Sequence, residues 1–236
     1  MVAGPFWGAR TPMPNSLLPH AVTLAVEGRT PELAARLAAF AAQSGVAAMI
    51  DDVVTPAFER LGRLFACDAL TVKAASFAHR ALADAARRAM PDVVVDPKAP
   101  RAVVATLVGN GHGLGGEFLA GVLAAAGWRT ETGITLGVDA AGGESVGAAD
   151  VVAVSVALES EWRALPGVLA GLRARLPHAL LLVGGPAVRA RAGRCALPYG
   201  AVACVDATSA VASLPETRDA SVSRRVPFVA GVSVGG

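Results

Sequence analysis

A single histidine in a glycine-rich loop is the side chain of this sequence best suited to bind a metal. Residues 103–115, VVATLVGNGHGLG, begin as an apolar run and end with glycines that alternate with Asn110 and His112. Glycine allows the backbone to approach a bulky ligand closely, and imidazole is a common metal ligand. Loops of this type also bind nucleotide phosphates. Because this loop has one histidine and no lysine, its composition favours metal coordination over triphosphate binding.

The composition predicts a folded protein with a sizeable core. Of 236 residues, 53% are apolar and 17% are charged, which is enough for one large domain or two modest ones. The formal net charge of +2 lacks the basic excess of a free-standing nucleic-acid-binding protein. The sequence offers no nucleophile–histidine–acid set, no paired carboxylates and no metal cluster. We therefore predict a binding or regulatory protein rather than an enzyme.

Cysteine usage and the N-terminus predict a cytoplasmic protein. Cys67, Cys195 and Cys204 are widely spaced and form no CxxC pair, so neither a disulfide framework nor a zinc site is indicated. The first fifteen residues lack the basic and apolar regions of a signal peptide. The sequence also contains no uninterrupted apolar run of about 18 residues, so we predict no membrane span.

Apolar residues recur at three- and four-residue steps through the first part of the chain, which is the helical period. This pattern predicts a helical bundle over residues 16–92, preceded by a flexible N-terminus over residues 1–15. Thr30-Pro31 and Thr55-Pro56 are typical of helix starts. The predicted helices cover residues 17–26, 31–44, 47–66 and 70–90.

After a proline-rich linker the pattern changes to short apolar runs that alternate with helical stretches. Such alternation predicts an α/β fold with a flavodoxin-like (Rossmann-like), doubly wound, parallel five-stranded sheet over residues 101–215. Ligands of such sheets bind beyond the carboxyl ends of the strands. Residues 216–236 are predicted to be a C-terminal tail. The predicted strands cover residues 102–108, 129–134, 151–156, 179–183 and 201–205.

The histidine loop resembles a motif of known cobalamin-binding domains. Asn110, His112 and Gly115 are similar to the Asp-x-His-x-x-Gly motif of corrinoid-binding domains, and the resemblance continues to about Leu214. A serine at the end of the third strand, Ser155, and the glycine pair at residues 184–185 match the same pattern. These matches occur in the family's order, and each lies at the end of a predicted strand.

The resemblance implies a role for each matching residue. His112 would replace the dimethylbenzimidazole tail of cobalamin as the lower ligand of cobalt. Ser155 would line the slot that receives the tail, and Gly184 and Gly185 would leave room for it. We predict that Gly111, Gly115 and Ala157 complete this side of the cofactor site. The sequence departs from the family at Asn110, where an amide can still accept from the histidine Nδ1–H but carries no charge.

The helical part resembles the cap that shields the upper face of cobalamin in methionine synthase and in B12-dependent photoreceptors. Phe65 occupies the position of a tryptophan in adenosylcobalamin photoreceptors, and Ala75-Ser76 replaces their Glu-His pair. Hydroxocobalamin or methylcobalamin is therefore expected rather than adenosylcobalamin. We predict that Phe65 contacts the corrin. His79 is either an upper ligand or a histidine of the helix surface.

Three functional hypotheses follow. A helical part joined to a corrinoid domain, with no helix-turn-helix segment, resembles the AerR/PpaA-type antirepressors of photosynthesis-gene control. This resemblance implies a light-responsive cobalamin sensor that acts on a transcription factor, a repressor protein. The first alternative is the corrinoid methyl-carrier protein of a methyltransferase system. The second alternative is a haem-binding redox sensor, because His112 could serve either metal.

Overall fold

The chain folds into a helical part followed by an α/β part. The computed structural model describes residues 17–110, 113–138, 146–191, 196–215 and 223–224. The predicted flexible N-terminus, most of the predicted tail, and both Gly111 and His112 lie outside these ranges.

The helices of the first part pack around the long helix α5. Leu33 and Leu37 lie one turn apart on α2, Leu82 and Ala86 lie one turn apart on α5, and all four are buried. None of the helices in the described part of the chain combines the length and apolar composition that crossing a bilayer requires. The helices are α1 (Leu17–Val26), α2 (Thr30–Ser44), α3 (Val46–Ala48), α4 (Thr55–Ala66) and α5 (Val72–Ala89).

The predicted helix over residues 47–66 is not a uniform α-helix. A π-helical segment, Met49–Val54, joins α3 directly to α4, so Thr55 does not begin a separate helix. The Thr55 N–H donates to the carbonyl of Ile50, five residues earlier. Pro56 has no N–H and its ring would clash with a carbonyl of an ordinary helical turn. The wider π turn before Pro56 accommodates the proline without ending the helix.

The sheet has the predicted flavodoxin-like order. Its five strands are all parallel, in the spatial order β3-β2-β4-β5-β6, which is the doubly wound 2-1-3-4-5 arrangement. Two further residue pairs, β1 (Val93–Val94) with β7 (Ser223–Arg224), form a separate antiparallel ladder. The sheet strands are β2 (Arg101–Leu107), β3 (Arg129–Leu136), β4 (Val151–Ser155), β5 (Leu180–Gly184) and β6 (Val202–Ala203).

The register of the sheet places three strand ends at one level. Ser155, the last residue of β4, pairs with Thr106 of β2 on one side and with Gly184 of β5 on the other. The loops that follow these strands therefore emerge side by side. The helices of this part are α6 (Leu114–Ala125), α7 (Leu165–Arg175), α8 (Pro186–Arg189) and α9 (Ala207–Ala212).

The helical part packs against helices α6 and α9 through a shared apolar core. Phe118 and Val122 of α6 are buried in the same cluster as residues of α1, α2, α4 and α5. The Asp51 carboxylate, in the π-helical segment, adds a polar contact at the start of α9. It accepts hydrogen bonds from the backbone N–H groups of Ala207 and Thr208, both at 2.9 Å, and from the Thr208 hydroxyl at 2.6 Å. Asp51 therefore caps α9 from the other part of the chain.

Replacing Asp51 by asparagine is expected to lower the free energy of unfolding by about 1 to 3 kcal/mol. An amide directs a donor at groups that already donate, so at least one of them loses its partner. Chemical denaturation measures the change, with Asp52→Asn at the exposed neighbouring position as the control. The control should cost less than about 1 kcal/mol. Equal losses for both variants would contradict the capping role of Asp51.

Candidate cofactor-binding site

A cavity of about 970 Å³ lies between the carboxyl edge of the sheet and the helical part. This volume is at the upper end of the range for small-molecule sites. The sheet side is lined mainly by small residues at strand and loop ends, and the helical side by the apolar Ile50 and Phe58 together with the polar Asp51, Thr55 and Glu59. Residues on the sheet side include Gly113, Gly115, Ser155, Ala157, Gly184 and Gly185, and those on the helical side include Ile50, Thr55 and Phe58. Five of the predicted site residues are thus brought to one cavity.

The glycine pair after β5 has a structural requirement of its own. Gly185 has a φ of 105°, and a Cβ built on it would lie 2.5 Å from the carbonyl oxygen of Val156. A Cβ on Gly184 would lie 3.3 Å from the carbonyl oxygen of Cys204. Gly185 is therefore needed for the close approach of two loops, whatever the cavity binds.

The glycines of the histidine loop differ from Gly185 in this respect. A Cβ built on Gly113 or on Gly115 would meet nothing within 4 Å. Both residues line the cavity at the start of α6, so a side chain there would take space from the cavity rather than clash with the protein. No packing contact within the protein requires glycine at these two positions. A ligand that approaches the backbone closely would explain why glycine is present there.

Asn110 contacts the loop that follows β4. Its Nδ2 donates to the backbone carbonyl of Ser155 at 3.5 Å and to Glu161 Oε2 at 3.3 Å. Glu161 is buried, at 7% exposure, and its Oε2 also accepts from the backbone N–H of Ala157 at 2.8 Å. Asn110, two residues before the predicted ligand, is therefore held next to Ser155, which lines the cavity.

The sequence did not indicate Glu161, because the side chain that it contacts is distant along the chain. Asn110 lies 51 positions away from Glu161. A glutamate near a helix start is usually solvent-exposed, and nothing in the local pattern marks this one as buried. The available signal was its position three residues after Leu158, which precedes the short 3-10 helix Glu159–Arg163. At this spacing a glutamate accepts from the backbone at the start of a helical turn.

A thiol lies on the cavity wall. Burial of Cys204, at 4% exposure, raises the pKa of its thiol to about 11, with a smaller contribution in the same direction from Asp206 and an opposing one from Ser213. The thiolate is the reactive form of cysteine. Cys204 therefore contributes a neutral, weakly polar surface to the cavity at physiological pH.

Two predicted residues of the helical part do not reach the cavity wall. His79 stands behind Phe58, with 5.5 Å between the ring centroids, and its Nδ1 lies 2.8 Å from the carbonyl oxygen of Ala75. A carbonyl can only accept, so Nδ1 carries the proton. Phe65 is 45% exposed and is not among the lining residues. The aromatic residues among those that line the cavity are Phe58 and Phe118.

Two arginines of the α/β part pair with carboxylates that are distant along the chain. Arg189 lines the cavity and donates through Nη1 to Glu59 Oε1 of α4 at 2.6 Å, which connects the two parts of the chain across 130 positions. Arg191 contacts Glu159 and lies 4.4 Å from the ring centroid of Trp162. Pairing with such distant carboxylates cannot be inferred from local charge patterns.

His112 and Gly111 lie outside the described residues, so the structure does not place the predicted ligand. The loop enters at Asn110 and leaves at Gly113, and Gly113 lines the cavity. Within the described ranges, no three histidine, cysteine, aspartate or glutamate side chains are grouped so as to hold a metal ion.

Comparison with known proteins indicates a fold but not a family. No protein-family model matches the chain, and no curated protein matches it. The solved structure of the Methanosarcina barkeri monomethylamine corrinoid protein is similar over 82% of this chain and 94% of that chain, with 15% identity and a TM-score of 0.59. This likeness confirms the predicted flavodoxin-like fold with a helical N-terminal part.

Two further solved structures are less similar. A novel cobalamin-binding protein from Desulfitobacterium hafniense DCB-2 has 15% identity and a TM-score of 0.40, over 82% of this chain and 94% of that one. The methanol:cobalamin methyltransferase complex MtaBC from Methanosarcina barkeri has 15% identity and a TM-score of 0.39, over 81% of this chain and 75% of that one. These two TM-scores are too low to support an argument about fold.

Gly185→Ala is expected to lower the free energy of unfolding by at least about 2 kcal/mol, because alanine is strained at the observed φ and its Cβ collides with a carbonyl. Gly115→Ala is the matched variant. It adds the same methyl group to a helix facing open space, so stability should stay unchanged or rise by up to about 1 kcal/mol. Chemical denaturation compares the two. Equal stability of both variants would contradict the close approach of Gly185 to the Val156 carbonyl.

The raised pKa of Cys204 predicts a loss of stability in alkali. The thiol of the unfolded chain deprotonates first, near pH 9, so the folded protein binds more protons between about pH 9 and 11. The free energy of unfolding should therefore fall across that window, by about 2 to 3 kcal/mol at its upper end.

Denaturation at several pH values measures this slope. Cys204→Ala should remove the Cys204 contribution, whereas Cys67→Ala, at an exposed cysteine, should keep the wild-type slope. The same slope in all three proteins would show that Cys204 is not held protonated by the fold.

Proposed function

We propose that this chain is a corrinoid-binding protein that holds cobalamin in the cavity between the sheet edge and the helical part. The observation that carries the proposal is the cavity itself. It lies where doubly wound sheets bind ligands, and its sheet side is formed by small residues such as Gly115 and Ser155. The two loop glycines with open space at their Cβ positions fit a large ligand that approaches the backbone closely.

In this proposal each residue of the site has a defined role. His112 is the lower cobalt ligand, and Asn110 orients its ring. Ser155, Ala157 and Gly184 line the slot that receives the released nucleotide tail. When bound, cobalamin supplies a cobalt atom that can carry a methyl group or respond to light. The chain binds, orients and shields that atom.

The helical part would cover the upper face of the cofactor. Phe58 presents an apolar surface to the cavity, and His79 supports its ring from behind. Because the Asp51 and Glu59 contacts fix this layer to the sheet edge, the upper face would be screened from water. The expected cofactor remains hydroxocobalamin or methylcobalamin, because Ala75-Ser76 replaces the Glu-His pair of the adenosylcobalamin photoreceptors.

We infer that methyl carriage in a methyltransferase system is the better-supported function. The similar structure with the TM-score of 0.59 is a corrinoid protein, and the likeness extends over both parts of this chain. A carrier needs a donor and an acceptor protein, so its partners would be methyltransferase components, and the chain would contribute the cofactor rather than a catalytic group. The photoreceptor, antirepressor and haem hypotheses remain predictions from the sequence.

Reconstitution of the purified protein with hydroxocobalamin tests the proposal. The wild type should retain the corrin through gel filtration. His112→Ala should weaken binding by at least about tenfold or change the absorption spectrum, because the cobalt loses its protein ligand. His178→Ala, at an exposed turn, is the control and should behave as the wild type.

The spectrum also separates the functional hypotheses. Retention without a change on illumination supports methyl carriage, whereas a light-dependent change supports the sensor. A Soret band on addition of haem, without corrin retention, would contradict the proposal. Wild-type binding and spectrum in His112→Ala would contradict the assignment of the ligand.

A further inference from the structure

An ion pair between the two parts of the chain forms part of the cavity wall. Glu59 of α4 and Arg189, the last residue of α8, both line the cavity, and Arg189 Nη1 donates to Glu59 Oε1 at 2.6 Å. Their side chains are 49% and 41% exposed, so a ligand in the cavity can reach them. Thr55, Phe58 and Glu59 lie within one turn of α4 and share the face that lines the cavity. The ion pair is therefore presented to a ligand beside the apolar surface of Phe58.

The ion pair retains unused hydrogen-bonding capacity. Arg189 Nε donates to the Val205 carbonyl at 3.3 Å while Nη1 donates to Glu59, and these two bonds fix the plane of the guanidinium. Within the described part of the chain, Arg189 Nη2 and Glu59 Oε2 form no hydrogen bond. A guanidinium only donates and a carboxylate only accepts. One ion pair on the cavity wall thus offers a ligand both a donor and an acceptor.

The other charged groups of the wall are used within the protein. Among the described residues that line the cavity, Arg189 is the one cation, and the carboxylates are those of Asp51, Glu59 and Asp206. Asp51 caps α9 from the helical part, and Asp206 Oδ1 accepts from the Ser209 N–H at 2.6 Å. A charged group that leaves water needs an opposite charge or hydrogen bonds in compensation. Because carboxylates predominate and the guanidinium is already paired, this wall favours a neutral polar group over an anion.

A primary carboxamide is the neutral group that fits this pair. Its carbonyl oxygen can accept from Arg189 Nη2 while its NH2 group donates to Glu59 Oε2. A carboxylate in the same place could accept from the arginine, but it would have no proton to donate and would face the like charge of Glu59. Cobalamin carries propionamide side chains around its corrin ring, and hydrolysis converts them to propionates.

We propose that Glu59 and Arg189 are a specificity-determining pair that binds a propionamide of the corrin and rejects the corresponding propionate. The inference rests on the proposed function, cobalamin binding in this cavity, and adds a recognition site for the periphery of the ring. Because one member of the pair comes from each part of the chain, recognition requires the helical part to be packed on the α/β part.

Titration with hydroxocobalamin and with its b, d and e monocarboxylic acids tests the selectivity. In each acid a single propionamide is hydrolysed to a propionate, which is ionised at neutral pH. The wild type should bind at least one of these acids about tenfold more weakly than hydroxocobalamin, because a carboxylate then faces Glu59. The acid with the largest loss identifies the propionamide that the pair binds. Equal affinities for hydroxocobalamin and all of the acids would overturn the inference.

Glu59→Gln tests whether this residue causes the discrimination. The glutamine amide can donate to a propionate, so the acid that the wild type rejects should bind E59Q about tenfold more tightly than it binds the wild type. A gain in affinity for one acid cannot result from the loss of a merely structural contact. Arg189→Ala should weaken hydroxocobalamin binding by about three- to thirtyfold, because the carbonyl oxygen loses its donor. An unchanged ratio of amide to acid affinity in E59Q would overturn the inference.

The Glu27–Arg29 ion pair provides matched controls. It is also exposed and belongs to the helical part, but neither residue lines the cavity. Glu27→Gln and Arg29→Ala should therefore keep the wild-type affinity and selectivity. Exposed ion pairs contribute little to stability, so all four variants should retain the wild-type fold, which circular dichroism checks.

These measurements separate the inference from the proposed function. If the wild type binds no hydroxocobalamin, the proposed function fails and the role of the ion pair fails with it. If the wild type binds hydroxocobalamin and all of the monocarboxylic acids alike, cobalamin binding stands and only the inference is overturned. A selectivity that Glu27→Gln abolishes as well as Glu59→Gln would also overturn it.

Discussion

Parallel pairing of the strands is the constraint on which the rest of this structure depends. Parallel strands must be joined by crossovers, so the loops after β2, β4 and β5 all leave from one edge of the sheet. The ladder pairs Thr106 with Ser155 and Ser155 with Gly184, which places these loops at one level. The small residues at this level leave the edge open. A ligand site at the carboxyl edge follows from strand direction and residue size together.

The helical part converts the open edge into a cavity. The shared apolar core contributes most of the stability of this packing. Phe118 and Val122 of α6 are buried together with the helices of the first part. Burial of one large apolar side chain contributes about 1.5 to 3 kcal/mol, whereas an exposed ion pair contributes at most about 1 kcal/mol. The exposed Glu59–Arg189 pair therefore orients the two parts more than it stabilises them. Asp51 differs because it caps backbone groups that would otherwise lack acceptors.

Local patterns in the sequence predict the fold well and the site only in part. Buried parallel strands are short apolar runs, so the five-stranded sheet and the positions of Ser155 and Gly184 at strand ends could be inferred. The π-helical segment before Pro56 could not, because a threonine–proline pair is equally typical of a helix start. Glu161 could not either, since its burial depends on Asn110, far away in the chain. Contacts formed only by tertiary folding leave no local periodicity to detect.

His112 is proposed to bind the cobalt of a corrinoid held at this edge. Electron paramagnetic resonance of the protein reconstituted with cobalamin and reduced to the cobalt(II) state tests it directly, when the histidines carry ¹⁵N. The splitting from the axial nitrogen should change from a triplet to a doublet relative to unlabelled protein, and His112→Ala should abolish the doublet. A triplet that survives the labelling would mean that the nitrogen belongs to the cofactor's own tail, and it would contradict the claim.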